Sequence, residues 1–291
     1  MIKRDGRRLR YSAVLKGEGN MRGKRAFAAL ALFIITALLL LAALLHQRGR
    51  VTILMYHHFV TDGGETNSLT VTEGKFRRDM EYLHAQGYET LLPDELSAIL
   101  SGRQPCPEKA VVISFDDGYH SNYQYAYPIL RETGCRAVIA LNTAYILDSP
   151  QENAFMLSWA EVREMAASGY AAFGSHTDNL HNPDTGGDLR TGRNAANGVE
   201  RLPAETPGEY HERVGSDLAR SCAVIEAHTG VPVQWFAYPY GAGDRWCERE
   251  LDELDIPISV LTNPGSARVG SLRGLPRFAV REDTDLSALL P

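Results

Sequence analysis

The chain has 291 residues, 44% of them apolar and 23% charged, an ordinary globular balance that excludes collagen-like, disordered and low-complexity chains. Four cysteines are too few for a disulfide-stapled scaffold, and a net charge of −6 argues against a general nucleic-acid binder. The charge is uneven: residues 1–25 hold nine Lys and Arg against two acids, a net +7, so residues 26–291 carry −13.

Residues 26–45 form an apolar stretch without a charge, in which Thr36 is the one polar residue. As a helix at about 1.5 Å per residue it spans roughly 30 Å, the hydrocarbon thickness of a bilayer. A buried helix of a soluble domain would keep a polar stripe, and this one has none. The expectation is one N-terminal transmembrane helix over 26–45. The basic head 1–25 would lie in the cytoplasm and residues 51–291 outside it, by the positive-inside rule. An uncleaved signal anchor is favoured over a cleaved signal peptide, because the run is long and shows no clear small-residue cleavage site. The basic head would also suit anionic lipid. Outside the membrane, Cys106, Cys135, Cys222 and Cys247 could pair or remain buried thiols; spacing does not choose between these.

Past the apolar stretch, short apolar runs alternate with helical patterns. Strands are expected over 51–56, 88–91, 110–115, 136–141, 171–175, 233–238, 258–261 and 275–280. Helices are expected over 72–86, 120–133, 158–168 and 209–228, each followed by glycine at or near its end, with Thr72 an N-cap and Ser158 and Glu161 spaced as a capping box. This alternation means a parallel sheet covered by helices, and seven or eight such units suggest a barrel, an open doubly wound sheet being the alternative. Residues 176–208, rich in Gly, Asn, Asp and Pro, read as a long loop.

Chemistry in a barrel sits on loops after the carboxyl ends of strands. The strand at 110–115 runs into Asp116-Asp117-Gly118, where a glycine lets the chain bend so that both carboxylates reach one site, although Asp-Gly is also common in plain turns. The strand at 171–175 runs into His176 and, five residues later, His181; with one carboxylate these make a sound ligand set for zinc or a related divalent ion. The strand at 233–238 runs into Pro239-Tyr240-Gly241, a turn able to aim a backbone N–H at an oxyanion. The first strand ends at His57-His58, whose side chains point to opposite faces, so that one of the two faces the site.

The segments SFDDGY (114–119), GSHTDNLH (174–181) and FAYPYG (236–241) together resemble the polysaccharide deacetylase (NodB-homology) family over roughly residues 51–285. LMYHHF (54–59) and the five-residue histidine spacing look most like the poly-N-acetylglucosamine deacetylase branch. The resemblance implies a deformed (β/α) barrel of about seven parallel strands. It also implies one divalent metal, usually Zn2+, and hydrolysis of N-acetyl groups in a glycan containing N-acetylglucosamine. By motif, Asp116 would be the general base, Asp117, His176 and His181 would bind metal, and Tyr240 would give its backbone N–H. Two departures stand out: Ala237 occupies a position where the family often has Arg, and no histidine follows His228 to supply the family's late general acid. The expectation is that Arg277, in LPRF (275–278), orients Asp116, and that His57 or His58 replaces the missing acid. Alternatives are an acetyl esterase on the same scaffold and a non-catalytic glycan-binding module. A membrane-tethered ectodomain would meet peptidoglycan or poly-N-acetylglucosamine.

Overall fold

The computed structural model describes residues 24, 27–38, 49–151, 154–181 and 198–290. The chain divides into two compact units, Met1–Arg48 and Gly49–Pro291. In the first, residues 27–38 are helical and mostly exposed. Among the described residues no helix is long and apolar enough to cross a membrane. Residue 26 and residues 39–45 of the expected span lie outside the described residues, as do residues 182–197 of the expected long loop.

The second unit is built on a mostly parallel sheet. In chain order its strands are β1 (Arg50–Tyr56), β2 (His58–Val60), β3 (Thr70–Thr72), β4 (Glu89–Thr90), β5 (Ala110–Phe115), β6 (Ala137–Leu141), β7 (Ala171–Ser175), β8 (Trp235–Ala237), β9 (Ile258–Val260), β10 (Ser266–Arg268) and β11 (Phe278–Ala279). The main order is β10-β1-β5-β6-β7-β8-β9. Near the end of the chain, Leu275 bridges to Val260 of β9, while Phe278 and Ala279 pair with Leu54 and Met55 of β1. The last segment thus sits between the first and the last parallel strands, giving a deformed barrel. One strand departs from the expected all-parallel set: β10 runs antiparallel to β1. Strands β2 and β3 pair in parallel in a small separate sheet. Several strands are also shorter than expected: β8 begins two residues after Val233, and only residues 278 and 279 of 275–280 join a ladder.

The helices longer than four residues are α1 (Glu73–Gln86), α2 (Pro93–Leu100), α3 (Tyr127–Thr133), α4 (Trp159–Ser168), α5 (Ser216–Thr229) and α6 (Arg245–Glu253), with single turns at Pro207–Tyr210 and Leu286–Leu289. Thr72 caps α1 by accepting the Lys75 N–H at 3.1 Å. Ser158 and Glu161 form the capping box of α4. The expected helix over 120–133 opens instead with a π-helical turn, Asn122–Ala126, and that over 209–228 carries another at His211–Gly215. All four cysteines are free thiols.

Strand periodicity sorts the core into two layers. Leu54, Tyr56, Val111, Ile113, Phe115, Ala137, Ile139 and Leu141 face the helices. Val51, Ile53, Val112, Val138, Ala140, Trp235, Ala237, Ile258, Val260 and Leu275 face the barrel interior. Every residue of β5 and β6 is buried, as both faces of a covered parallel strand must be. The interior stripe sets the site. Continued by steps of two past the strand ends, it reaches His57 from Ile53, Asp116 from Val112, and Arg277 from Leu275.

Candidate active site

Asp116 is buried to 2% exposure and Arg277 to 0%. The guanidinium donates from Nη1 to Oδ1 and from Nη2 to Oδ2 of Asp116, each at 2.7 Å. Arg277 is itself fixed by Nε to the Leu261 carbonyl at 2.9 Å and Nη1 to the Ser114 hydroxyl at 3.2 Å. Burial opposes the charged carboxylate. The Arg277 charge and hydrogen bonds, with His176 and His57, outweigh that, and the Asp116 carboxyl lies below its ordinary range. His57 Nε2 lies 3.9 Å from Asp116 Oδ2.

Alternation alone would turn Asp117 away from the interior. Its left-handed backbone, φ 74°, brings it back, and Gly118 continues the turn at φ 83°. A Cβ on Gly118 would meet only the tip of the Leu141 side chain, Cδ2 at 2.8 Å, so it is the left-handed φ that calls for glycine here. Asp117 Oδ1 then lies 3.4 Å from His176 Nε2 and 3.2 Å from His181 Nε2.

Those contacts point to a cation. His176 Nδ1 lies 2.7 Å from the Ala237 carbonyl oxygen, which can only accept, so the ring proton sits on Nδ1. Burial, then the neighbouring His181, outweighs the Asp116 and Asp117 charges and pushes His176 down to about 4, so the ring is neutral near pH 7. Its bare Nε2 lone pair therefore faces a carboxylate oxygen, two acceptors with no proton between them. A divalent ion satisfies both. Ligand atoms of Asp117, His176 and His181 all lie within 4.8 Å of one another. Two imidazoles and one carboxylate suit zinc or a similar ion, and the Ala237 carbonyl orients His176 as a ligand's outer partner does.

The loop carrying both histidines is held from below by residues that sequence reasoning missed. Asp217, on α5 and 2% exposed, accepts the backbone N–H of Asp178 at 2.8 Å and of Asn179 at 2.9 Å. Asn142, just past β6, donates from Nδ2 to the His181 carbonyl at 2.7 Å. Thr177, a β-branched residue, adopts φ 80° between them, a strained backbone of the kind that concentrates at functional sites. Asn142 follows an apolar strand, so the rule that found Asp116 could have found it. Asp217 carries no local signal.

Pro239 and Tyr240 lie in the expected turn, closed by Gly241 N–H to the Tyr238 carbonyl at 2.9 Å. Tyr240 has φ 58°, and its ring meets His181 edge-on with centroids 4.4 Å apart. Its hydroxyl is buried without a hydrogen-bond partner. His58, one residue from His57, turns to the other face as alternation requires. It meets Ser121 Oγ at 2.8 Å and the rings of Tyr119 and Phe155.

The polysaccharide deacetylase family model matches residues 103–258. Poly-beta-1,6-N-acetyl-D-glucosamine N-deacetylase of Escherichia coli K12 is 27% identical over 246 residues, which cover 79% of this chain and 36% of that protein. The chain thus spans about a third of the length of that relative. YxkH of Bacillus subtilis is 38% identical over 218 residues, covering 75% of this chain and 66% of YxkH. Among solved structures, IcaB from Ammonifex degensii superposes with a TM-score of 0.65 at 25% identity, over 80% of this chain and 92% of its own. A de-N-acetylase from Aggregatibacter actinomycetemcomitans gives 0.66 at 26% identity, over 82% and 97%. The match by family covers both β5 with Asp116 and Asp117 and β7 with its two histidines, and the chain belongs to the polysaccharide deacetylase family.

Proposed function

We propose that this chain is a metal-dependent N-deacetylase. It removes acetyl groups from polysaccharide containing N-acetylglucosamine at the cell surface, and the apolar segment 26–45 tethers it to the membrane. The reading rests on one arrangement: three convergent ligand atoms from Asp117, His176 and His181 beside an ionised, Arg277-bound Asp116. Poly-N-acetylglucosamine is favoured over peptidoglycan because the Escherichia coli relative bears that polymer in its name. The tether is supported by the uncharged run itself and by the basic head before it. In the helical residues 27–38, Phe27, Leu30, Leu32, Phe33 and Ile35 are all exposed.

Asp117, His176 and His181 would hold the ion, most simply Zn2+, which when bound polarises a carbonyl and lowers the pKa of water to about 7. Asp116, kept ionised by Arg277, takes the proton of the attacking water. The Tyr240 backbone N–H donates to the oxyanion that develops on the acetyl oxygen. His57 gives a proton to the departing amine, the role that a late histidine would otherwise fill. Products are acetate and a free glucosamine unit.

The test offers the full-length enzyme N-acetylglucosamine oligomers and, in parallel, acetylated xylan. Free amine appearing in the oligomers supports the reading. Acetate from the xylan ester alone would replace it with an esterase.

A further inference from the structure

The left-handed backbone of Tyr240, φ 58°, is one that a tyrosine seldom adopts. Such a conformation persists only where its surroundings over-determine it. On the carboxyl side, Gly241 lies so close to Thr262 that a Cβ there would meet Thr262 Cβ at 2.9 Å. On the amino side the anchor is Tyr238. Its N–H donates to the Val260 carbonyl at 3.1 Å, and its buried side chain donates from the hydroxyl to Oε1 of Glu248 at 2.7 Å.

Glu248 stands on α6, the helix that follows the turn and is capped by Asp244, which accepts the Trp246 N–H at 2.7 Å. The same Oε1 accepts a second hydrogen bond, from the hydroxyl of Ser259 in β9, also at 2.7 Å. Ser259 is fully buried. Its Oγ in turn accepts the Gly274 N–H at 2.7 Å, and its carbonyl accepts the Leu275 N–H at 2.8 Å. Gly274 and Leu275 open the segment that delivers Arg277 to Asp116. Oε2 of Glu248 lies 3.5 Å from Nε of Arg273, on the same segment. One carboxylate therefore ties the turn that aims the Tyr240 N–H to the segment that orients Asp116.

We propose that Glu248 is a positioning residue for the reaction: through Tyr238 and Ser259 it fixes the Tyr240 N–H relative to Asp116. The proposal rests on the N-deacetylase reading and adds a residue, outside the ion's ligands, on which turnover depends. An oxyanion donor acts on charge that develops only in the transition state, so a misaimed donor lowers kcat more than it raises KM. The ion's ligands are Asp117, His176 and His181. Ala237, whose carbonyl orients His176, is held by the pairing of β8 with β9, so zinc affinity does not depend on Glu248.

The test measures kcat and KM for acetate release from N-acetylglucosamine oligomers, together with zinc affinity, in the full-length enzyme and its variants Glu248→Leu, Glu248→Gln and Tyr238→Phe. Glu248→Leu offers no acceptor and should lower kcat roughly 10- to 100-fold, as a misplaced donor does. Its KM and zinc affinity should stay within about twofold of wild type. Glu248→Gln keeps an acceptor oxygen at the same reach and should recover most of kcat. Tyr238→Phe removes only the link to the turn; it should lower kcat in the wild-type background and add nothing to Glu248→Leu. Tyr238→Phe alone decides the matter where Glu248→Leu fails to fold. Unchanged kcat, a fall shared equally by zinc affinity, or a Glu248→Gln as slow as Glu248→Leu would overturn the positioning role. No release by wild type from any oligomer would overturn the N-deacetylase reading and this role with it, and that result is visible before any variant is compared.

Discussion

Arg277 grips both oxygens of Asp116 at 2.7 Å in a place where neither side chain meets solvent. Removing one partner of a buried ion pair strands the other charge, which costs about 3–5 kcal/mol. Arg277→Met is therefore expected to lower the unfolding free energy by that amount. The double variant with Asp116→Asn, which has no stranded charge, should recover a substantial part of it. Denaturant unfolding of the four proteins gives the coupling directly. Strictly additive losses would show that the pair does not act as a unit.

Asp217 makes a second prediction, in pH. Burial raises its carboxyl most; the Asn179 and Asp178 N–H bonds lower it, the Asp178 charge raises it, and Arg220 at 3.6 Å lowers it, leaving it pushed up to about 6. The folded carboxyl thus binds its proton more tightly than the unfolded one. Between about pH 4 and 6 the folded state holds more protons, so this group makes stability fall as pH rises through that window. Relative to metal-free Asp217→Asn, the metal-free wild type should lose up to about 3 kcal/mol on going from acid to neutral pH. A difference between the two proteins that stays constant with pH would contradict this.

The same substitution tests the loop. The amide of Asp217→Asn would keep one acceptor oxygen and turn an NH2 toward the other backbone N–H, loosening the turn that carries His176 and His181. Zinc affinity, measured by competition with a chromophoric chelator, should fall roughly 10- to 100-fold, as for other outer-shell partners. Asp217→Glu should retain more of it. Unchanged affinity in Asp217→Asn would show that the loop holds its shape without the carboxylate.

Tyr240 separates main chain from side chain. Its hydroxyl is buried without a partner, so Tyr240→Phe should leave kcat nearly unchanged and stability equal or slightly higher. A fall of roughly a hundredfold, the size of a lost oxyanion donor, would assign the role to the phenol instead of the backbone N–H.

Much of the site is legible along the chain because parallel strands end where chemistry begins. Asp116, His176 and the Pro239-Tyr240 turn all follow apolar runs, and alternation alone separates His57 from His58. Asp117 is less legible: its place beside the histidines depends on φ 74°, which strand periodicity does not foretell. Asp217 reaches the loop only through the packing of α5 against the sheet. Strand β10 gives no local sign of running antiparallel, and the π-helical turn at Asn122–Ala126 lies where a long-range contact is made, Asn122 Nδ2 donating to the His57 carbonyl at 2.8 Å.

The central claim is that Asp117, His176 and His181 hold the ion while Asp116 moves the proton. The most direct measurement strips the enzyme with a chelator, restores zinc in steps, and follows bound metal and acetate release together for wild type and Asp116→Asn. Wild type should be inactive when stripped and fully active at one equivalent. Asp116→Asn should bind one equivalent as well, yet turn over roughly 10²- to 10⁴-fold more slowly, as loss of a general base predicts. Acetate release that survives metal removal, or an Asp116→Asn protein that no longer binds zinc, would contradict the account.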